Sequence, residues 1–478
     1  MAGTTHATTG RGLPPYSPER RTGLVFAGTG AHGAYHAGVL RALQDAGIKL
    51  DVVAGHGIGA GAAALAAIDG ASRLWDAKGI WPSPQAHRLY GWKPAVRVAA
   101  AFAFVIAALL AVPLFVLSLG LIAYPIGFLL TLVGLSAGPA LTAAFSGWLQ
   151  SMFSPEQLPT ALPRLVMLAF VLLCLSVAGM TAVSRWRAPA RRRSSGGWWW
   201  DAAGAPLDAS GARGAFLDAI WQLIRGAAGT GKVEPRVVGR RYAEVLAESA
   251  GQPGFRELLT IATDLDARRD VVVAFLREPY RSRFLAPVEG RDRRAEVIDV
   301  GGHGREHALD LIGAALTPPV GFDPALVTFG PESYWRGETH RLCDRPEALS
   351  RLVDELDTAG VRQLILVSGL PAMGGPHRLS PPRLDARHRL GDYLLAAESL
   401  ALEQALAVGR SRFEAVYVIS PAHNPLGPFD LAGVYDEASD RRHGLSELMD
   451  HGYSDAHRQF IEPVVGASGD QVGRAMTN

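Results

Sequence analysis

The sequence predicts a layered α/β/α sheet domain with a largely parallel sheet, interrupted in mid-chain by an α-helical transmembrane insert. Two observations predict it. On both sides of the middle, short apolar runs alternate with segments whose apolar residues recur at helical spacing, the pattern of a sheet covered by helices. Between them, residues 98–155 contain no Asp, Glu, Lys or Arg, which is room for two or more spanning helices.

The first soluble stretch, residues 22–75, reads as βαβα. TGLVFA is a short apolar strand, followed by a glycine-rich turn at 28–33 and a helix through AYHAGVLRALQDAG that Gly47 stops. LDVVAG is the second strand, and residues 59–67 form a small-residue helix. Beyond the insert, helices are expected at 216–224, 242–249 and 392–408. Strands are expected at 258–262, 271–275, 364–368 and 415–420.

The insert carries three apolar runs. Residues 101–119 are the clearest span, 121–141 are weakened by Pro125, Gly127, Gly134 and Gly138, and 165–183 are bracketed by Arg164 and Arg185. Lys93 and Arg97 precede the insert, and Arg185, Arg187, Arg191, Arg192 and Arg193 follow it, so both flanks favour the cytoplasm. Trp198, Trp199 and Trp200 read as interfacial anchors. Two flanks on one side require an even number of crossings, so the 121–141 run is expected to be a re-entrant or interfacial hairpin.

Composition narrows the function classes. The 478 residues are 48% hydrophobic and 19% charged with a net charge of +2, which gives no electrostatic case for nucleic acid. Two cysteines, Cys174 and Cys343, make neither a disulfide framework nor a metal knuckle. Residues 1–21 have no apolar signal-peptide core and read as a disordered tail.

Two glycine-rich turns carry the chemistry. Gly28-Thr29-Gly30-Ala31-His32-Gly33 follows a strand and opens a helix, so its backbone N–H groups are placed to meet a phosphate or an oxyanion. The acidic residue that nucleotide binding needs after the second strand is absent; Ala54-Gly55-His56 stands there. Gly55-His56-Gly57-Ile58-Gly59 has the strand–turn–helix placement of a nucleophile elbow, with Gly57 where the nucleophile belongs. Residues 226–232 have the spacing of a phosphate-binding loop only as far as Lys232, with Val233 in place of Ser or Thr. His303, His307 and His340 lack the carboxylate cluster a metal site would need, and no metal or cofactor is expected.

With these motifs in view, VFAGTGAHGAYHAGVLRALQDAGIKLDVVAGHGIGAGAAAL resembles the start of a patatin-like phospholipase domain: the glycine loop, the Gly38-Val39-Leu40 helix and the elbow fall in register. FRELLTIATDLDARRDVVVAFL, AALTPPV and HGYSDAHRQF resemble later segments of that family, and Tyr334-Trp335-Arg336-Gly337-Glu338 resembles the turn that carries its catalytic aspartate. The resemblance covers roughly residues 22–75 and 213–465. It implies a Ser–Asp dyad that hydrolyses lipid acyl esters over a glycine oxyanion loop. Carried over, the serine position is Gly57, the aspartate position Arg336 and the basic loop position His32. Neighbouring His56 could only activate water, Ser368 reads as a turn residue, and Asp299 lies on the wrong side of the Pro-Pro segment.

The organisation expected is a tail (1–21), a first half-domain (22–90), the insert (98–184), a basic and Trp-rich linker (185–212), a second half-domain (213–465) and a C-terminal tail (466–478). The function expected is a membrane-anchored, catalytically inactive protein of the cytoplasmic membrane. Its soluble domain faces the cytoplasm and binds membrane lipid or a fatty acyl ligand, or acts as a scaffold. The alternative is a lipid acyl hydrolase with a non-standard nucleophile.

Overall fold

The structure, a computed structural model, describes residues 15–154, 162–187, 204–225, 234–286, 295–331, 333, 335–371, 385–437 and 439–466. The expected Trp cluster at 198–200, the arginines at 191–193, the 226–232 loop and Tyr334 lie outside the described residues, as do most of both tails. The chain forms two compact units, one from Met1–Gly91 with Leu207–Asn478 and the other from Trp92–Pro206.

The first unit is built on strands β1 (Thr22–Ala27), β2 (Val52–Gly55), β4 (Leu207–Asp208), β5 (Glu257–Asp264), β6 (Arg269–Phe275), β7 (Ala295–Asp299), β8 (Ala325–Thr328), β9 (Thr339–Cys343), β10 (Gln363–Ser368) and β11 (Ala415–Ile419), and the two-residue strand β3 (Gly91–Trp92) falls at its boundary. Among the described residues the main sheet runs β11-β10-β1-β2-β5-β6-β7, with β9 joining β5 and β8 joining β9. The β1, β2, β5, β10 and β11 neighbours pair in parallel, whereas β6 and β9 both run antiparallel to β5. Strands from before and after the insert are therefore neighbours in one sheet.

Helices cover both faces, which is why the central strands are apolar throughout rather than alternating. On one face Val25, Ala27, Val52, Ala54, Leu259 and Ile261 pack against Leu349, Leu352, Val353 and Leu356. Those leucines and Val353 lie on a helix of residues Ala348–Thr358. The long helix Ala386–Arg412 adds Ala401 and Ala405 to the same core. On the other side, α1 (His32–Asp45) lies against the helix Leu445–Ala456. The approach is close enough that a methyl on Gly38 would overlap Met449 O at 1.8 Å.

The second unit holds α3 (Pro94–Ser118), α4 (Gly120–Leu132), α5 (Ala137–Met152) and α6 (Leu162–Arg187), with α2 (Ile58–Ala67) preceding them in the first unit. Two stretches, Pro94–Leu132 and Pro163–Met180, are long and apolar enough to cross a membrane by length and composition. The 121–141 run is not one helix: it breaks after Leu132, with Gly134 at φ 79°. Across that break α4 and α5 pack on small residues, a methyl on Gly138 coming within 2.5 Å of Gly127 O. Tyr124 meets Phe145 edge-on at 5.6 Å. α3 packs along α6, yet Phe104, Leu114, Phe115 and Leu121 turn outward.

Candidate functional site

The site follows from the register of two strands. Phe26 of β1 pairs with Gly55 of β2, so the turns leaving their C-terminal ends lie side by side. The first runs through Gly28 at φ 143° and Gly30 at φ 60° into α1. The second runs through His56 and Gly57 into α2 (Ile58–Ala67). Gly57 has φ 56° and ψ −135°, the strained backbone of an elbow, in a region that side-chain-bearing residues rarely enter.

Three donors of the elbow and its neighbouring turn are already engaged. The Ile58 N–H, which would meet an oxyanion in a working elbow, donates to Gly28 O at 3.1 Å. The Ala31 N–H donates to Pro428 O at 2.8 Å. The Gly57 N–H donates to Asp344 Oδ1 at 3.1 Å. A side chain on Gly57 would start 2.5 Å from Gly28 O and 3.0 Å from Asp344 Oδ2.

Asp344 was not foreseen from the sequence. It follows β9, and its own N–H donates to Thr317 O at 2.7 Å, which fixes the carboxylate beneath the elbow. Its Oδ1 also lies 3.3 Å from His56 Nδ1, while Oδ2 is buried with no hydrogen-bond partner among the described residues. Burial opposes a charge on His56. The charge and hydrogen bond of Asp344, helped by Glu398 and Glu347, outweigh it and raise its pKa above the ordinary value.

The structure places Arg336, expected at the acid position, away from the elbow. Arg336 stands on an exposed turn at φ 29°, its N–H donating to Ser333 O, and the carboxylate at the elbow is Asp344. The reason is strand direction. The turn that resembles the family motif precedes β9, but β9 runs antiparallel to β5, and the residue after its last one is delivered to the elbow.

A second buried pair lies behind the loop. His32, at the first turn of α1, has Nδ1 3.3 Å from Glu398 Oε2, and both side chains are almost fully buried. Burial would raise the Glu398 pKa, but His32, with Thr29 and His56, outweighs burial and holds its carboxyl below the ordinary range. His36, one turn on, hydrogen-bonds through Nε2 to Ala27 O at 3.1 Å. Burial, with His32 and His56 nearby, pushes its pKa down to about 3.

The other candidates stay apart from the elbow chemistry. Ser368 Oγ accepts from the Leu370 N–H at 3.2 Å, a turn role. Asp299, on β7, holds Arg281 at 2.6 Å and the Gly301 N–H at 3.0 Å. His307 Nε2 accepts from the Gly330 N–H at 2.9 Å, and His340 is paired with Asp264 and Glu338. No group of three or more His, Cys, Asp or Glu placed to hold a metal occurs among the described residues. Cys343 is no substitute nucleophile: burial, with Asp344 beside it, pushes its thiol up to about 12.

A mostly parallel sheet covered by helices, with a glycine loop beside a strand–turn–helix elbow, defines the class of α/β folds built around a buried nucleophile-type turn. The patatin-like phospholipase family matches residues 24–281, more than half of the sequence, and the chain belongs to that family. Among curated relatives it is similar to the lysophospholipase nte1 of Aspergillus fumigatus, 48% identical over 50 residues, which cover 10% of this chain and 3% of that protein. The lysophospholipase nte1 of Emericella nidulans is 54% identical over 41 residues, covering 9% and 3%. The chain thus matches only a small part of the length of these relatives. Among solved structures, VipD from Legionella pneumophila aligns with a TM-score of 0.30 at 12% identity, covering 96% of this chain and 71% of its own. The type III effector protein ExoU aligns at 0.18 and 14%, covering 73% and 60%.

Proposed function

We propose that this protein is a membrane-anchored patatin-like protein whose elbow is catalytically silent and which binds lipid or acts as a scaffold at the membrane. The observation that carries the reading is the elbow itself: glycine stands at the nucleophile position, and the Ile58 N–H is closed by Gly28 O. Asp344 takes the acid position, so a hydroxyl and an open Ile58 N–H are what the elbow lacks. In this reading His32 serves as the basic loop residue, paired with Glu398. In the turn from Gly28 through Thr29, Gly30 and Ala31 to His32 and Gly33, the N–H groups of Ala31, His32 and Gly33 are taken up by Pro428 O, Thr29 O and Gly30 O.

The insert supports the anchoring. A bilayer would cover Phe104, Leu114, Phe115 and Leu121, which have relative exposures of 74%, 70%, 65% and 79%. In this reading α3 and α6 cross and α4–α5 form a hairpin that returns to the side it left. Strands from both sides of the insert share one sheet, so the crossings are even and both halves face the cytoplasm. In a background lacking Cys174 and Cys343, Ser195→Cys is expected to react with an impermeant maleimide only after permeabilisation. Labelling of intact cells would overturn this topology.

A second reading, a hydrolase with a non-standard nucleophile, has one observation in its favour. Ser439 Oγ lies 2.7 Å from His443 Nε2, and His443 Nδ1 lies 3.1 Å from Glu447 Oε2, which is the order of a Ser–His–acid relay. It ranks second because Ser439 Oγ is equally close to Asp436 Oδ2, at 2.7 Å, so its proton has a competing acceptor. A fluorophosphonate probe with peptide mapping separates the two. No labelled serine is expected. A label on Ser439 that disappears in His443→Gln would establish the second reading, and a label on any other serine would overturn the silent elbow and the Ser439 assignment together.

A further inference from the structure

Outside the elbow, the first unit contains a cavity of about 230 Å³. Its walls are set by the helix Ser210–Ile224, the start of the helix Pro235–Glu248 and the helix Ala308–Ala315. Phe216, Ile220, Leu309 and Ile312 line it, and two charged residues reach it, Arg213 and Asp310. The inner wall backs onto the elbow helix: a methyl on Gly61 of α2 would come within 2.5 Å of the Phe216 ring. Arg213 makes no ion pair among the described residues.

We propose that this cavity binds one chain of a free fatty acid, with the Arg213 guanidinium holding the carboxylate. The inference rests on the lipid-binding reading above and names the ligand class. Three observations carry it. Apart from Arg213 and Asp310 the walls carry no charged side chain, and most of them are apolar. The one cation on them makes no salt bridge within 4.0 Å among the described residues, its neighbouring anion being Asp310 on the same wall. The volume falls below the roughly 300 Å³ at which pockets accept drug-sized ligands, so one slender chain fits and a two-chain lipid does not. An arginine fork suits a carboxylate in two parallel hydrogen bonds.

Asp310 sets the pH dependence. Burial pushes its carboxyl up to about 6, with Glu234 adding to the rise and Arg236 and Arg213 opposing it. Above that value the Asp310 anion competes with the ligand for Arg213. Below it Asp310 is neutral and the guanidinium is left to the fatty carboxylate. Binding therefore tightens as pH falls from 7.5 to 5.5, and Asp310→Asn removes that dependence.

The test is calorimetric titration of sodium octanoate into the full chain in lipid nanodiscs, with empty nanodiscs subtracted. Saturable binding at one site is expected, weakening roughly fourfold for each methylene removed towards hexanoate. Arg213→Gln is expected to weaken it at least tenfold. Gly313→Leu places a side chain in the cavity where a Cβ would meet only Arg213 Cδ, at 3.4 Å, so it blocks the ligand without a backbone clash. Binding no greater than that of empty nanodiscs, or binding unchanged by both variants, would overturn the proposal. Absent octanoate binding with no labelled serine removes this cavity and leaves the silent elbow standing. A labelled serine with octanoate still bound does the reverse.

Discussion

Gly57→Ser is expected to destabilise the protein rather than simply restore a nucleophile. The position has φ 56° and ψ −135°, and a serine there accepts backbone strain of about 1–3 kcal/mol. The Cβ would also start 2.5 Å from Gly28 O, a backbone atom that can move only by giving up its hydrogen bond from Ile58. Overpacking of this kind costs a further ~1–3 kcal/mol. Thermal unfolding of the full chain in detergent, followed by tryptophan fluorescence, should show a clear fall in melting temperature. A melting temperature equal to the wild type would mean that the Gly28 peptide moves freely and the elbow is not closed.

The second large effect is expected far from the elbow, where the two halves of the interrupted domain are fastened. Arg21 precedes β1 and Glu257 opens β5, beyond the insert. The Arg21 guanidinium donates to both Glu257 oxygens, at 3.1 and 2.6 Å, and its Nε donates to Ala359 O at 3.2 Å. Its face lies 3.6 Å from the Tyr280 ring centroid. Arg21 and Glu257 are 8% and 1% exposed, so removing one partner strands a buried charge. Glu257→Ala is expected to cost about 3–5 kcal/mol. Replacing both partners, Arg21→Met with Glu257→Met, should cost far less, because no buried charge is left behind: Arg277, which also bonds Glu257 at 3.1 Å, is 42% exposed and stays in water. If the single and double variants unfold alike, the pair does not fasten the halves.

Much of the fold is legible in the sequence because the central strands are buried on both faces. TGLVFA, VVAG, QLILVS and AVYVI read as apolar runs, and the structure places a strand on each. The outer strands are not legible. β8 alternates buried and exposed residues over only four positions, and THRLC of β9 carries charge. The elbow is visible because its glycines must admit a close approach: a methyl on Gly59 would meet Phe26 O at 2.4 Å.

The acid partner is another matter. Asp344 is followed by Arg345 and Pro346, not by the glycine that marks the family turn, so no local pattern points to it. Only the pairing of Thr263 with Cys343 across β5 and β9 brings it to Gly57. Glu398 is hidden for a similar reason. It sits among Ala, Ser and Leu on a long helix, and only the packing of that helix against the loop sets it beside His32.

The central claim is that the elbow lacks an open oxyanion donor as well as a hydroxyl. The most direct measurement is turnover of p-nitrophenyl butyrate by the purified full-length wild type and by Gly57→Ser, under conditions where both are folded. With Asp344 beside position 57, the variant would hold both a serine and a carboxylate. The account predicts that it still hydrolyses the ester no faster than buffer, because the Ile58 N–H remains closed by Gly28 O. Sustained turnover by Gly57→Ser, absent from the wild type and lost again in Gly57→Ser with Asp344→Asn, would contradict it. That result would show a site complete but for one hydroxyl.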